Sequence, residues 1–346
     1  AISVVAVHAV TIAARSFAPQ AAHTAPAHFR DFHRLGSSGV DIFFVISGFV
    51  MMYVHYDQFG DRNAPRRFFA RRMIRVVPLY WLLTGITIVL IVFAPWLSFD
   101  QGQIDLPWIV GSFLFIQIPT HSGYTQPVVA PGWTLNFEMF FYAIFAFALL
   151  MPRRLAIRFI AGIFGALLII GLAFPDRPVW LTVWTGPLLL EFLAGVVLAI
   201  AYRRALPIFS AKIGPFLIAL GVALLAMTVW STPPWKGWLQ AFEWGIPATL
   251  IVWGTLSIQL NPSWRVSLGK LLGDASYSIY LFQVVALPVL ALVLKLALSK
   301  HKIPVNLAAG ILIFGSIAVS VGCWYIIERP MTRYFTGLLL KRESMP

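Results

Sequence analysis

Long apolar runs, broken at fairly regular intervals by short polar segments rich in Arg, Pro and Gly, make up most of the chain. A helix that crosses the hydrocarbon core of a bilayer needs about 20 mostly apolar residues. Ten runs fit or approach that length: 1–14, 37–56, 74–96, 133–151, 155–174, 180–202, 211–230, 241–259, 275–298 and 304–327. The stretch from Leu106 to Ile118 is apolar but short, and it leads into the Pro- and Gly-containing stretch Pro119 to Gly132. It is expected as a re-entrant or interfacial helix. The pattern therefore predicts an all-α polytopic membrane protein of about ten transmembrane helices plus one short helix. We expect one domain over 1–346, with 328–346 as a cytoplasmic tail.

Composition removes the soluble alternative. Of 346 residues, 59% are hydrophobic and only 11% charged, with a mean hydropathy of +0.82. About a quarter of a soluble domain is charged, so this chain has too few ionic side chains to cover a globular surface. The net charge of +13 would suggest a nucleic-acid partner in a soluble protein. Here its placement gives another reading. With the N-terminus inside, the inner segments hold Arg62, Arg66, Arg67, Arg71, Arg72 and Arg75, then Arg153, Arg154 and Arg158, then Arg203, Arg204 and Lys212, then Arg265 and Lys270, and finally Arg329, Arg333, Lys341 and Arg342. Roughly two thirds of all Lys and Arg fall inside, as the positive-inside rule requires. Treating 106–118 as a full crossing would put the later Arg pairs outside. Both termini are expected in the cytoplasm, and no nucleic acid is needed to explain the charge. The single Cys323 excludes a disulfide framework and a thiolate metal cluster. The first run is already apolar at Ala1, with no Met and no cleavable signal pattern, so further residues are expected ahead of it.

Ionisable groups inside apolar spans are costly and are therefore functional candidates. Five stand out: His8, Asp41, Glu138, Glu191 and Asp274. Each could also be a hydrogen-bonded packing residue between helices. An imidazole such as His8 can serve as a general base for a hydroxyl or as a transient acyl carrier, and composition does not choose between these. Asp41 opens the second span, in which Ser47 and Gly48 offer a site of close approach. Arg71, Arg72 and Arg75 share roughly one helical face at the inner boundary. Their guanidinium groups suit phosphates, either of lipid head groups or of a nucleotide-type cofactor. Glu138 lies about five residues, roughly 7 to 8 Å, below the outer boundary, under an interfacial Trp133.

Several segments together resemble the membrane-bound acyltransferase 3 family, in its exopolysaccharide-production branch. They are the His8 context; Gly39-Val40-Asp41-Ile42-Phe43-Phe44-Val45-Ile46-Ser47-Gly48-Phe49; Arg71-Arg72-Met73-Ile74-Arg75-Val76-Val77-Pro78-Leu79-Tyr80-Trp81; Trp133-Thr134-Leu135-Asn136-Phe137-Glu138; Ser276-Tyr277-Ser278-Ile279-Tyr280-Leu281; and Glu328-Arg329-Pro330. They follow the family's order from the first span to the last.

The resemblance implies an O-acyltransferase of the bacterial inner membrane. It would take acetyl-CoA or another acyl-CoA from the cytoplasm and acylate an exopolysaccharide or a lipid-linked precursor, without a metal. On this basis we expect catalysis from His8 and Glu138, and acyl-CoA binding by Arg71, Arg72, Arg75, Tyr80 and Ser47. Carbohydrate binding goes to Trp133, Asp41 and Asn136. The family's basic partner of the catalytic His, separated from it by ten residues, would lie ahead of Ala1. Where many members continue the ninth-span motif with His, this chain has Gln283 after Leu281-Phe282. The alternative from another class is a transporter or flippase of lipid-linked sugars; such proteins often pair interrupted helices in their two halves, a pattern not evident in this sequence.

Overall fold

The computed structural model describes residues 1–18, 35–94, 105–228, 238–258, 264–298 and 303–340. Its helices, in chain order, are α1 (Ile2–Phe17), α2 (Gly39–His55), α3 (Ala64–Phe93), α4 (Leu106–Phe113), α5 (Trp133–Ala148), α6 (Arg153–Ala173), α7 (Val179–Trp184), α8 (Leu188–Arg203), α9 (Gly214–Met227), α10 (Ile246–Ser257), α11 (Trp264–Asp274), α12 (Ser276–Ala297), α13 (Val305–Cys323) and α14 (Arg329–Leu339). No strand occurs among the described residues. Proline sets several helix starts: α6, α7, α8 and α13 each begin directly after one, at Pro152, Pro178, Pro187 and Pro304. The missing N–H costs nothing at a position where the helix would leave it unpaired.

Six helical stretches among the described residues are long and apolar enough to cross a bilayer: Leu35–His55, Ala64–Phe93, Arg153–Ala173, Val179–Arg203, Ser276–Ala297 and Val305–Leu339. α1, α5, α9 and α10 coincide with the other four expected spans but are shorter, at 16, 16, 14 and 12 residues. The last stretch does not stop near residue 327. A π-helical turn, Trp324–Glu328, carries it into α14, which reaches into the expected tail.

The helices form two compact units, each assembled from separated parts of the chain. The first comprises 1–29, 65–146 and 269–346. Its core is the contact of α1 with α12 and α13, where Ala9, Ile12 and Ala13 meet Leu287, Ala291, Ala308, Ala309 and Leu312. Alanines on three helices let the backbones come close, which is how helices associate where lipid removes the usual hydrophobic advantage.

The second unit comprises 30–64 and 147–268, with α2 packed along α8 and α9 packed along α10. A Cβ on Gly48 would overlap the Phe192 carbonyl, and one on Gly195 would overlap the Val45 carbonyl. Two glycines thus set the α2–α8 approach, and no larger residue fits either place. Further along the same pair, Arg203 forms an ion pair with Asp57, and its guanidinium lies 4.9 Å from the Tyr56 ring centre.

Candidate active site around His8

The first unit holds a polar centre where α1 meets α12. His8 Nδ1 lies 3.0 Å from Gln283 Oε1 on α12. The Gln283 amide group donates to the Tyr280 carbonyl at 2.8 Å, so its oxygen is the atom that faces the imidazole. Only a protonated Nδ1 can bond to that oxygen, and in the neutral ring the lone pair is then on Nε2. A neutral carboxamide therefore selects the imidazole tautomer that can take a proton, or attack a carbonyl, through Nε2.

His8 and Gln283 line a cavity of about 220 Å³ with Thr87 of α3, Trp108 of α4, and Gln126 and Pro131 of the following segment. That segment is irregular but heavily tied. The Trp108 indole donates to the Gln126 carbonyl at 2.7 Å, and Ser112 Oγ accepts from the Val128 N–H at 3.0 Å. His121 Nδ1 sits 2.6 Å from Asp105 Oδ2, closing the segment on itself. Phe115, with φ at 59°, turns in the left-handed region and places its ring 4.8 Å from that of Tyr80. Tyr80 in turn fills the space beside Gly132, where a Cβ would come within 2.6 Å of its ring. Non-helical backbone at membrane depth is tolerated where protein surrounds it or where it lines a cavity, and this segment lines one.

A second polar group is built on α3, α5 and α12. Tyr142 donates to Glu138 Oε1 at 3.0 Å, and the Arg72 guanidinium lies 5.4 Å from the Tyr142 ring centre and 5.7 Å from that of Phe68. Tyr277 donates to the Val76 carbonyl at 2.8 Å, two residues before Pro78 interrupts the α3 ladder. Ser278 donates to Glu328 at the π-helical turn, and Arg75 is near enough to Glu328 to attract it.

A base poised in a membrane-helix cavity with an arginine-bearing helix in the same unit is a constellation that can be compared with known proteins. The model of an acyltransferase domain family matches residues 1–327. The chain belongs to the acyltransferase 3 family. Family membership and the six spanning-length helices make it a membrane protein. It is 36% identical over 318 residues to an exopolysaccharide production protein, ExoZ, of Rhizobium meliloti (strain 1021), covering 86% of this chain and 90% of that one. It is 26% identical over 219 residues to the acyltransferase MdmB of Streptomyces mycarofaciens, covering 54% of this chain and 51% of that one. No solved structure matches it.

Within this acyltransferase, the residues singled out from sequence fall into several settings. His8 and Glu138 are both in the first unit; the structure supplies Gln283 to His8 Nδ1 and Tyr142 to Glu138. The three arginines are not equivalent. Arg71 and Arg75, one turn apart, are exposed, whereas Arg72 is half-buried over two aromatic rings. Tyr80 is fully buried, and its hydroxyl has no hydrogen-bond partner among the described residues. The same holds for both amide atoms of Asn136, while Trp133 is half-buried and packs edge-on against Phe137. An unpartnered buried polar group costs about 1–3 kcal/mol, which a bound molecule or water would recover.

Asp41 and Ser47 lie in the second unit. Asp41 is fully buried, accepts from the Gln240 amide at 3.3 Å, and has the Glu191 carboxyl as its neighbour. Asp41 Oδ2 and both Glu191 oxygens have no hydrogen-bond partner among the described residues. Ser47 is buried beside Gly48 on α2. Asp274 is exposed at the end of α11. No group of three metal-binding side chains occurs among the described residues.

Sequence reading missed Gln283 as a partner and passed over Thr87, Trp108 and Gln126. A buried amide in an apolar span was a visible signal at Gln283. At Thr87 there was none, because an isolated Thr in a membrane helix ordinarily bonds to its own backbone.

Proposed function

We propose that this chain is a ten-span O-acyltransferase of the bacterial cytoplasmic membrane, with both termini in the cytoplasm and α4 lying at the outer interface. It moves an acyl group, acetyl in the simplest case, from cytoplasmic acyl-CoA to a hydroxyl of an exopolysaccharide or its lipid-linked precursor. The observation that carries this reading is the His8–Gln283 hydrogen bond at the wall of a cavity. Arg71 and Arg75, exposed on one face of α3, suit the CoA phosphates, and the long pantetheine arm reaches from there towards His8.

His8 Nε2 takes the proton of the acceptor hydroxyl as its oxygen attacks the thioester carbonyl. The C–S bond breaks, an ester forms, and the imidazolium returns the proton to the departing thiolate as CoA-SH. Tyr142 holds Glu138, the second residue assigned to catalysis, in the same unit as His8. The similarity to a protein named for exopolysaccharide production favours a carbohydrate acceptor.

The test is transfer of radiolabelled acetyl from acetyl-CoA, by the purified chain in proteoliposomes, to exopolysaccharide from cells that lack the gene. Label in the polymer that disappears with His8→Ala supports the reading. Sugar movement across the bilayer without acyl transfer would favour a flippase instead.

A further inference from the structure

The cavity beside His8 holds more polar chemistry than a packing defect would. Thr87 is 8% exposed and its hydroxyl has no hydrogen-bond partner among the described residues, although a helical Thr would normally bond to its own backbone. Thr84, one turn earlier on α3, does so, donating to the Tyr80 carbonyl at 2.8 Å. Across the space, Pro288 has no N–H to give to the carbonyl of Val284, four residues earlier on the cavity wall. Trp108 and Tyr124 supply a wall of two rings at 6.4 Å in an edge-on arrangement, and the Trp108 N–H is already occupied by Gln126. Arg15, on the last turn of α1, completes the lining.

We infer that this cavity is the acceptor subsite, taking one sugar ring with its hydroxyl edge on Thr87 and His8, its C–H face on Trp108, and an anionic substituent on Arg15. This rests on the acyltransferase reading above and names the part of the acceptor that the enzyme grips. The volume of about 220 Å³ lies below the ~300–1,000 Å³ of sites for drug-sized ligands, so it suits a single ring rather than an oligosaccharide. A sugar ring matches the lining because one face is apolar and its rim is all donors and acceptors. Arg15 is the cation on the wall, and its fork fits a carboxylate or a pyruvate ketal better than a neutral hydroxymethyl group. The acceptor hydroxyl then shares one cavity with His8 Nε2, as proton transfer requires.

The full chain in nanodiscs tests this with acetyl-CoA as donor and two acceptors, methyl β-D-glucopyranoside and the corresponding methyl glucuronide. Free thiol release reads transfer, and the melting temperature reads binding of each ligand alone. Thr87→Val, which keeps the shape and removes the hydroxyl, should raise the KM of both glycosides about five- to tenfold and leave the acetyl-CoA shift unchanged. Arg15→Gln should weaken only the glucuronide. Unchanged KM in Thr87→Val, or equal effects of Arg15→Gln on the two glycosides, overturns the subsite. So does a wild-type chain that is stabilised by acetyl-CoA and by neither glycoside. A wild-type chain stabilised by the glycosides in a Thr87-dependent way but not by acetyl-CoA would keep the subsite and sink the acyl-CoA reading.

Discussion

His8 on the first helix and Gln283 on the twelfth are joined by a hydrogen bond of 3.0 Å across 275 positions of sequence, and that bond decides which imidazole nitrogen is basic. Gln283 is thus a positioning residue for His8. Gln283→Leu should lower kcat about ten- to a hundredfold with the KM for acetyl-CoA unchanged. Gln283→Glu separates this from a packing effect: a carboxylate favours the imidazolium, so the acid limb of the pH–rate profile should move to higher pH. An unshifted profile would show that the residue only fills space.

His8→Ala should reduce transfer at least a hundredfold while leaving expression and elution profile in detergent as they are. One half-buried imidazole contributes little beside the alanine-lined contact of α1 with α12 and α13. Transfer close to wild-type in this variant removes His8 from the chemistry.

The three arginines should divide by setting. Arg71→Ala and Arg75→Ala should weaken acetyl-CoA binding, read as loss of its thermal stabilisation, with little change in the melting temperature of the unliganded protein. Arg72→Ala should instead lower that melting temperature, since it loses two ring contacts worth about 0.5–2 kcal/mol together. Equal behaviour of all three would mean that the buried and exposed settings make no difference.

Gly195→Ala should destabilise the second unit by about 1–3 kcal/mol, because its new methyl group would overlap the Val45 carbonyl. The same change at Gly162, where nothing lies within 4 Å, is the control and should be neutral or slightly stabilising. Thermal unfolding in one detergent compares them directly.

The apolar runs and their Arg-rich breaks were enough to read an all-helical membrane protein, and the ordered motifs from His8 to Glu328 were enough to read its family. Both properties are local: a run of apolar residues satisfies its backbone only as a helix in lipid, whatever its neighbours are. Spacing on a helix also put Arg71, Arg72 and Arg75 on roughly one helical face. It could not say that Arg72 turns onto Tyr142 while the other two stay exposed, because that choice depends on which helix packs alongside.

The same limit explains the site. Nothing near position 283 marks Gln283 as the partner of His8, and nothing near position 87 distinguishes Thr87 from a Thr bonded to its own helix. Tertiary packing brought α1, α3, α12 and the 105–132 segment around one cavity, and so fixed the tautomer of His8 and what else faces it. Helical periodicity determines the face on which a residue lies; only the contacts between distant helices determine what that face meets.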